Sequence, residues 1–229
     1  DSKHYWGNIE QKIKEKIKQK SLDILLNNNE HFTKDNNKII FVIEQLVHTI
    51  EDFNENWPEL IEMTNKLLKL SFPKDINKIY AIIKTIKYCI SFLSYEILLH
   101  LNNFNLFFKT IFDYNLNQNI KILETKVTSC GFYSELFSYS LNNNLNDISS
   151  SVNFIFSYMI KTMNECINYL NNYNINESYK LFQINIKDLI FELLSHIEIL
   201  IISDIFDYSS DLYNQLNIIL NSIINLSPD

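Results

Sequence analysis

Asn56-Trp57-Pro58-Glu59-Leu60-Ile61 reads as the opening of a helix. Asn56 has a side-chain oxygen suited to the cap, and Glu59 follows three residues later, the capping-box spacing. Pro58 falls in the first turn, where a missing N–H leaves no bond unmade. Around this start, amphipathic segments recur in pairs on a period of about forty residues, the signature of HEAT-type repeats that bury their apolar faces only by stacking. The pattern predicts an all-α chain built as an α-α superhelix, a HEAT/ARM-type solenoid of about four helix pairs plus one extra helix.

Upstream, the periodicity places a first helix at about 6–27, with Ile9, Ile13, Ile17, Leu22, Leu25 and Leu26 turned to the core. A second, about 35–52, buries Ile39, Ile43, Leu46, Val47 and Ile50, and Phe53-Asn54-Glu55 breaks the chain before the third, about 57–70. Phe72-Pro73 ends that helix. A long one then runs from Asp75 to the low 90s on a stripe of Ile79, Ile83, Ile86 and Ile90. Further helices are expected near 104–115, 118–139, 146–171, 177–202 and 209–226, the first of these entered through a short apolar segment at 95–101. The resulting repeats are 6–52, 56–93, 104–140, 146–203 and a partial 208–229. Their ends show no polar capping repeat, so the reading is of one segment of a longer solenoid, monomeric as a fragment.

Composition supports helices over the alternatives. With Gly 2 and Pro 3 in 229 residues, the many left-handed turns of all-β or nucleotide-binding α/β folds have nothing to build them. A 46% hydrophobic content, against 21% charged, provides a sizeable core and excludes disorder. The formal net charge is −7 and every basic residue is Lys. Nucleic acid is therefore an unsuitable ligand, since phosphate binding needs a dense positive face, whereas a basic protein suits this surface. Cys89, Cys130 and Cys166 have neither CxxC nor metal-ligand spacing and read as buried, reduced thiols. The first ten residues carry no signal-peptide core, and the richest apolar run, Ile197 to Ile202, is interrupted by Glu198. No membrane partner is expected.

Catalytic patterns are sparse. The histidines (His4, His31, His48, His100, His196) fall in separate elements without an HExxH, and Gly7 and Gly131 alone cannot build a phosphate-cradling loop. The enzymatic alternative is an all-helical, metal-dependent synthase. Asp204, Asp207 and Asp211 stand at i, i+3 and i+7, and Asn146-Asp147 with Ser150 begins a second metal motif. The acidic ligand of that motif is replaced by Phe154, and no Arg is present to hold diphosphate. The chain is read as no enzyme, with no cofactor and no metal. Lys12, Lys14, Lys16, Lys18 and Lys20 turn by about 200° at each step, so they read as a solvated helix surface rather than one basic face.

In a solenoid one helix of each pair lines the concave surface, the usual binding side. If the second helices do so, the candidate protein-binding positions are Glu44, His48, Glu51 and Asp52, then Lys84, Lys87 and Tyr88. Deeper in the chain follow Glu124, Thr128 and Glu135, then Lys187, Glu192 and Ser195. Glu51-Asp52 is the densest charge among them.

Trp57-Pro58-Glu59-Leu60, entered from Asn56 and followed by an amphipathic helix, resembles the repeat start common in karyopherin-β (importin-β) nuclear transport receptors. The order around it is also similar: a first helix Lys-rich then aliphatic from Lys14 to Leu26, and an aromatic-rich segment from Phe92 to Phe107. The large importins that carry histones and ribosomal proteins are the most similar subgroup. The resemblance implies a segment of a nuclear import receptor that shuttles between cytoplasm and nucleus. Its partners would be basic protein cargo, the Ran GTPase and nucleoporins. The complete lack of Arg departs from the family. The alternative is a HEAT-repeat scaffold or regulatory subunit unrelated to nuclear transport.

Overall fold

The computed structural model describes residues 2–27, 34–115, 120–143, 149–172, 180–202, 214–218 and 220–221. Among these residues the regular structure is entirely helical: α1 (Ser2–Gly7), α2 (Gln11–Asn27), α3 (Lys34–Asp52), α4 (Pro58–Leu67), α5 (Ile76–Tyr88), α6 (Ile90–Leu99), α7 (Leu101–Phe112), α8 (Ile120–Asn142), α9 (Ser149–Asn172) and α10 (Lys180–Ile202), with helical turns again at 214–218. The chain divides into two compact units, Asp1–Phe108 and Lys109–Asp229. Asp204, Asp207, Asp211, Asn146, Asp147 and His31 lie outside the described residues.

In the first unit α2 packs on α3, α3 on α5, α4 on α5, and α6 on both α4 and α5. The corner between α3 and α4 shows how the sequence builds this. Asn54 takes the left-handed conformation (φ 52), which Asn tolerates better than most residues. Its N–H bonds the carbonyl of Glu51, and the N–H of Glu55 bonds that of Ile50 at 3.0 Å. This is the Schellman way of ending a helix, with Asn in the place usually held by Gly. The next helix starts one residue later than the spacing predicts. Trp57 stands at the N-cap position with no side-chain cap bond, and Pro58 is the first helical residue. The capping box of Asn56 and Glu59 is not formed; the Asn56 carbonyl instead accepts from Lys18 Nζ at 2.8 Å. Trp57 is fully buried, a contribution of about 3 kcal/mol or more.

The long helix expected from Asp75 is two helices. The backbone turns at Cys89 (φ −108, ψ 22) and again at His100 (φ −112, ψ 19), so α5, α6 and α7 follow one another with single-residue joints. The sequence Ile90–Leu99 is apolar on nearly every side, and such a run has no phase from which its boundaries could be read.

α2 also lies with a different face inward. Leu22 and Leu25 are buried as expected, but Lys14, Lys18 and Ser21 share their side, while Ile13 is 47% and Ile24 39% exposed. Positions 14, 18, 21, 22 and 25 fall on one face by helical geometry. What permits two lysines there is Glu55, described below.

In the second unit α8, α9 and α10 each pack on the other two. Lys126 of α8 meets Glu165 of α9, and Cys130 of α8 meets Thr162 of α9, so these helices run antiparallel. Ser134 of α8 meets His196 of α10, while Glu192 acts on Cys130, so α8 and α10 run parallel. α8 is enclosed along most of its length, burying Thr125, Lys126, Thr128, Ser129, Ser134 and Ser140 beside its apolar residues. Its hydroxyls are absorbed locally: Thr125 donates to the Lys121 carbonyl and Ser129 to that of Thr125, each at 2.7 Å.

Candidate protein-interaction surfaces

In the first unit the structure brings two of the expected groups together. His48 and Asp52 of α3 are exposed, and Glu44 and Glu51 are half-buried on the same helix. His48 Nδ1 lies 3.6 Å from a Glu51 oxygen. On α5, Lys84 and Lys87 are half-buried and Tyr88 is exposed; the Lys84 ammonium sits 5.6 Å from the Tyr80 ring centre. The two helices converge at Cys89, whose buried thiol is pushed up first by burial and then by the charges of Glu44 and Glu51. The packed pair α3 and α5 thus presents both signs, carboxylates on α3 and lysines on α5. It is not the uniformly acidic strip that Glu51-Asp52 suggests by itself.

The second unit offers less of the expected face. Thr128 is buried, against expectation, because α8 is covered by both α9 and α10. Glu124 and Glu135 remain half-buried at its margins, and Glu124 is engaged by Lys121 at 2.9 Å. Burial lowers the affinity of Lys121 for its proton, and the Glu124 charge opposes this. On α10, Lys187 and Ser195 are exposed, while the Glu192 carboxylate turns to His196 Nε2 at 3.5 Å.

Three polar clusters escape a reading of one helix at a time, since their members are 37 to 62 residues apart in the chain. The first is the clamp on the α3–α4 corner. Glu55 accepts from Lys14 at 2.6 Å and from Lys18 at 3.3 Å, and Lys14 also lies 5.3 Å from the Trp6 ring centre. Burial raises the Glu55 carboxyl, but hydrogen bonds and charge from both lysines outweigh it and hold the group below its ordinary range. The lysines are therefore not a solvated surface throughout. Lys14 and Lys18, one turn apart, are structural, and the i, i+4 spacing was the available signal.

The second is a bidentate pair. Lys126 Nζ, wholly enclosed, donates to both Glu165 oxygens at 2.9 and 2.7 Å. The third has the composition of a nucleophile with its base: Ser134 Oγ lies 3.1 Å from His196 Nδ1, and Glu192 stands beyond the ring. Its geometry does not suit catalysis. Ser134 is fully buried and its hydroxyl donates to the Gly131 carbonyl at 3.0 Å, so Oγ is neither reachable nor aimed at a substrate. His196 is a satisfied core histidine.

On the surface of the second unit, Asp113 is held by Lys109, by Lys161 at 3.2 Å and by the Tyr158 hydroxyl at 3.1 Å. Tyr158 in turn stacks on Phe112, with ring centres 4.7 Å apart. The carboxylate is used within the fold and leaves little charge for a ligand. Among the described residues no three His, Cys, Asp or Glu side chains converge as a metal site, and no helix is long and apolar enough to cross a membrane.

Comparison with known proteins finds no matching family model, no similar curated protein and no similar solved structure.

Proposed function

We propose that this chain is a helical protein-binding scaffold. The observation that carries the reading is the packing order in the second unit. α9 lies antiparallel to α8, and α10 returns parallel to α8 and beside it. A helix resting on both its neighbour and its second neighbour is compatible with stacked helix pairs, as it is with a three-helix bundle. The narrower form of the proposal is a HEAT-repeat segment of a karyopherin-β import receptor, which binds basic cargo and Ran and shuttles between cytoplasm and nucleus. It is supported by the Trp57-Pro58 helix start, where Trp57 is buried and Lys18 holds the preceding Asn56 carbonyl. In that form GTPase and cargo binding are reciprocally coupled. The mixed charge where α3 meets α5 favours a second form, a HEAT scaffold or regulatory subunit outside nuclear transport.

Pull-down of the chain with GTP-loaded and GDP-loaded Ran separates the two. Strong preference for the GTP form is expected of a receptor, and equal or absent capture overturns the narrower proposal while leaving the scaffold. For the face itself, charge reversal at Glu51 and Asp52 is expected to weaken capture of histones more than reversal at Lys12 and Lys16. Equal effects would refute the assignment to α3.

A further inference from the structure

α2 has two apolar sides, and the fold covers only one. The buried side holds Leu22 and Leu25 with Lys14, Lys18 and Ser21, and the two ammonium groups are spent on Glu55 and the Asn56 carbonyl. The neighbouring flank, about a quarter-turn round the helix, carries Ile13, Ile17 and Ile24. Ile13 and Ile24 are exposed and Ile17 is half-buried. These three form an open, shallow apolar floor along α2, bordered by Lys16, Gln19, Lys20, Ser21 and Asp23. Among the described residues Asp23 is its one acid, and it already accepts from Gln19 at 2.8 Å. Lys16 and Lys20 are exposed, one turn apart, and neither has a hydrogen bond or ion pair among the described residues. This face thus has an apolar floor with a positive flank, on a chain whose formal net charge is −7.

We infer that this face of α2 docks an acidic amphipathic helix of a partner protein. From Ile13 to Ile24 the floor extends about 16 Å, three helical turns. A partner helix with apolar residues at i, i+3 or i+4, and i+7 spans that length. Carboxylates four residues apart along its flank fall opposite Lys16 and Lys20. Lysine at those positions also rejects a basic partner, so the rim selects as well as attracts. An anionic membrane lacks the four-residue spacing of carboxylates that Lys16 and Lys20 match, and anionic vesicles form an arm of the test below. This surface is separate from the α3–α5 face and has the opposite preference in charge. Its failure therefore leaves the scaffold proposal standing.

The test is fluorescence anisotropy of the chain with a labelled synthetic helix of about 18 residues, five turns. It carries leucines at i, i+3 and i+4 spacing with glutamates on both flanks. Controls are a scrambled sequence, a version with lysines in place of the glutamates, and vesicles of phosphatidylserine with phosphatidylcholine. Saturable binding of the acidic helix alone is expected, weakening as salt rises. Ile13→Asp with Ile24→Asp is expected to reduce affinity at least about tenfold, the effect of losing central apolar anchors. Lys16→Glu with Lys20→Glu should weaken the acidic helix and admit the lysine version. Circular dichroism and Tm of each variant report whether it is folded, and if the isoleucine variant is not, the lysine variant decides. No binding of the acidic helix, equal binding of the scrambled peptide, binding to vesicles in preference, or unchanged affinity in the folded variants would overturn the inference.

Discussion

Replacing Glu165 by Gln should damage this protein far more than replacing Lys126 by Met, although the two side chains form one ion pair. Lys126 has a side-chain exposure of 0%, against 20% for Glu165. Glu165→Gln leaves an enclosed ammonium with a neutral partner. Burial lowers the affinity of Lys126 for its proton, the Glu165 hydrogen bond and charge oppose this, and Lys161 adds further repulsion. Breaking a buried pair from one side costs about 3–5 kcal/mol. Because Glu165 is partly wet and Gln keeps one hydrogen bond, the lower end applies, about 3 kcal/mol. That is a large share of a domain's total stability of about 5–15 kcal/mol and corresponds to roughly 6–12 °C in Tm. Lys126→Met removes the buried charge, keeps the volume, and leaves Glu165 free to rehydrate, so it should cost at most about 1 kcal/mol. Urea denaturation of both variants and the double variant provides the comparison, with the double expected near Lys126→Met. The pH dependence adds a check. A lysine whose proton is held less tightly in the folded state makes unfolded chains bind more protons between its lowered pKa and about 10.4, so its contribution to stability rises with pH there. The deficit of Glu165→Gln relative to the parent should therefore shrink toward pH 10. Equal costs for the two single variants, or a greater cost for Lys126→Met, would refute the reasoning.

The buried thiols act in the opposite direction at alkaline pH. Burial pushes Cys166 up to about 12 and raises Cys89 and Cys130 as well, so above about 8.5 the unfolded chain loses protons that the folded chain keeps, and stability falls by about 1.4 kcal/mol per thiol per pH unit. Cys166→Ala should make that slope shallower by about 1.4 kcal/mol per pH unit, the share of one thiol, in urea titrations up to pH 10; an unchanged slope would count against enclosure of the thiol. Glu55→Gln should cost about 1–2 kcal/mol at neutral pH, less than a fully buried pair because the carboxylate is partly wet, by removing the counter-charge of Lys14 and Lys18. It should also flatten the acid limb of the stability profile: the parent loses the Glu55 contribution as pH falls below about 4.3 through the lowered native value, and a variant with the same acid limb as the parent would show that the carboxylate is not held as described. Ser134→Ala should cost about 1–2 kcal/mol through the lost bonds to Gly131 and His196, while a fluorophosphonate probe labels neither protein, and labelling of the folded parent would show that Oγ is reachable.

Much of the helical content was legible because apolar residues recur at helical spacing and because Gly and Pro are nearly absent. α3, α8, α9 and α10 fall where that spacing puts them. Ile90–Leu99 was not legible, since a segment apolar on all sides contains no face from which to count. Of the candidate surface residues, those of α3 and α5 were found as exposed or half-exposed positions, whereas Thr128 was lost to the burial of α8. The clusters around Glu55, Glu165 and His196 each join residues from different helices, and no single-helix pattern contains them.

The sequence by itself determined that the chain is helical, where most of its helices run, and that its thiols carry no metal spacing. The tertiary structure alone decided which side of α2 faces inward. By hydrophobicity the isoleucines should be covered and the lysines wet. The reverse holds for Ile13, Ile24, Lys14 and Lys18 because Glu55, set by the Schellman turn at Asn54, supplies the counter-charge that makes two buried ammonium groups tolerable. A local pattern counts apolar positions along one helix. The partner that changes the balance arrives from a corner some forty residues away.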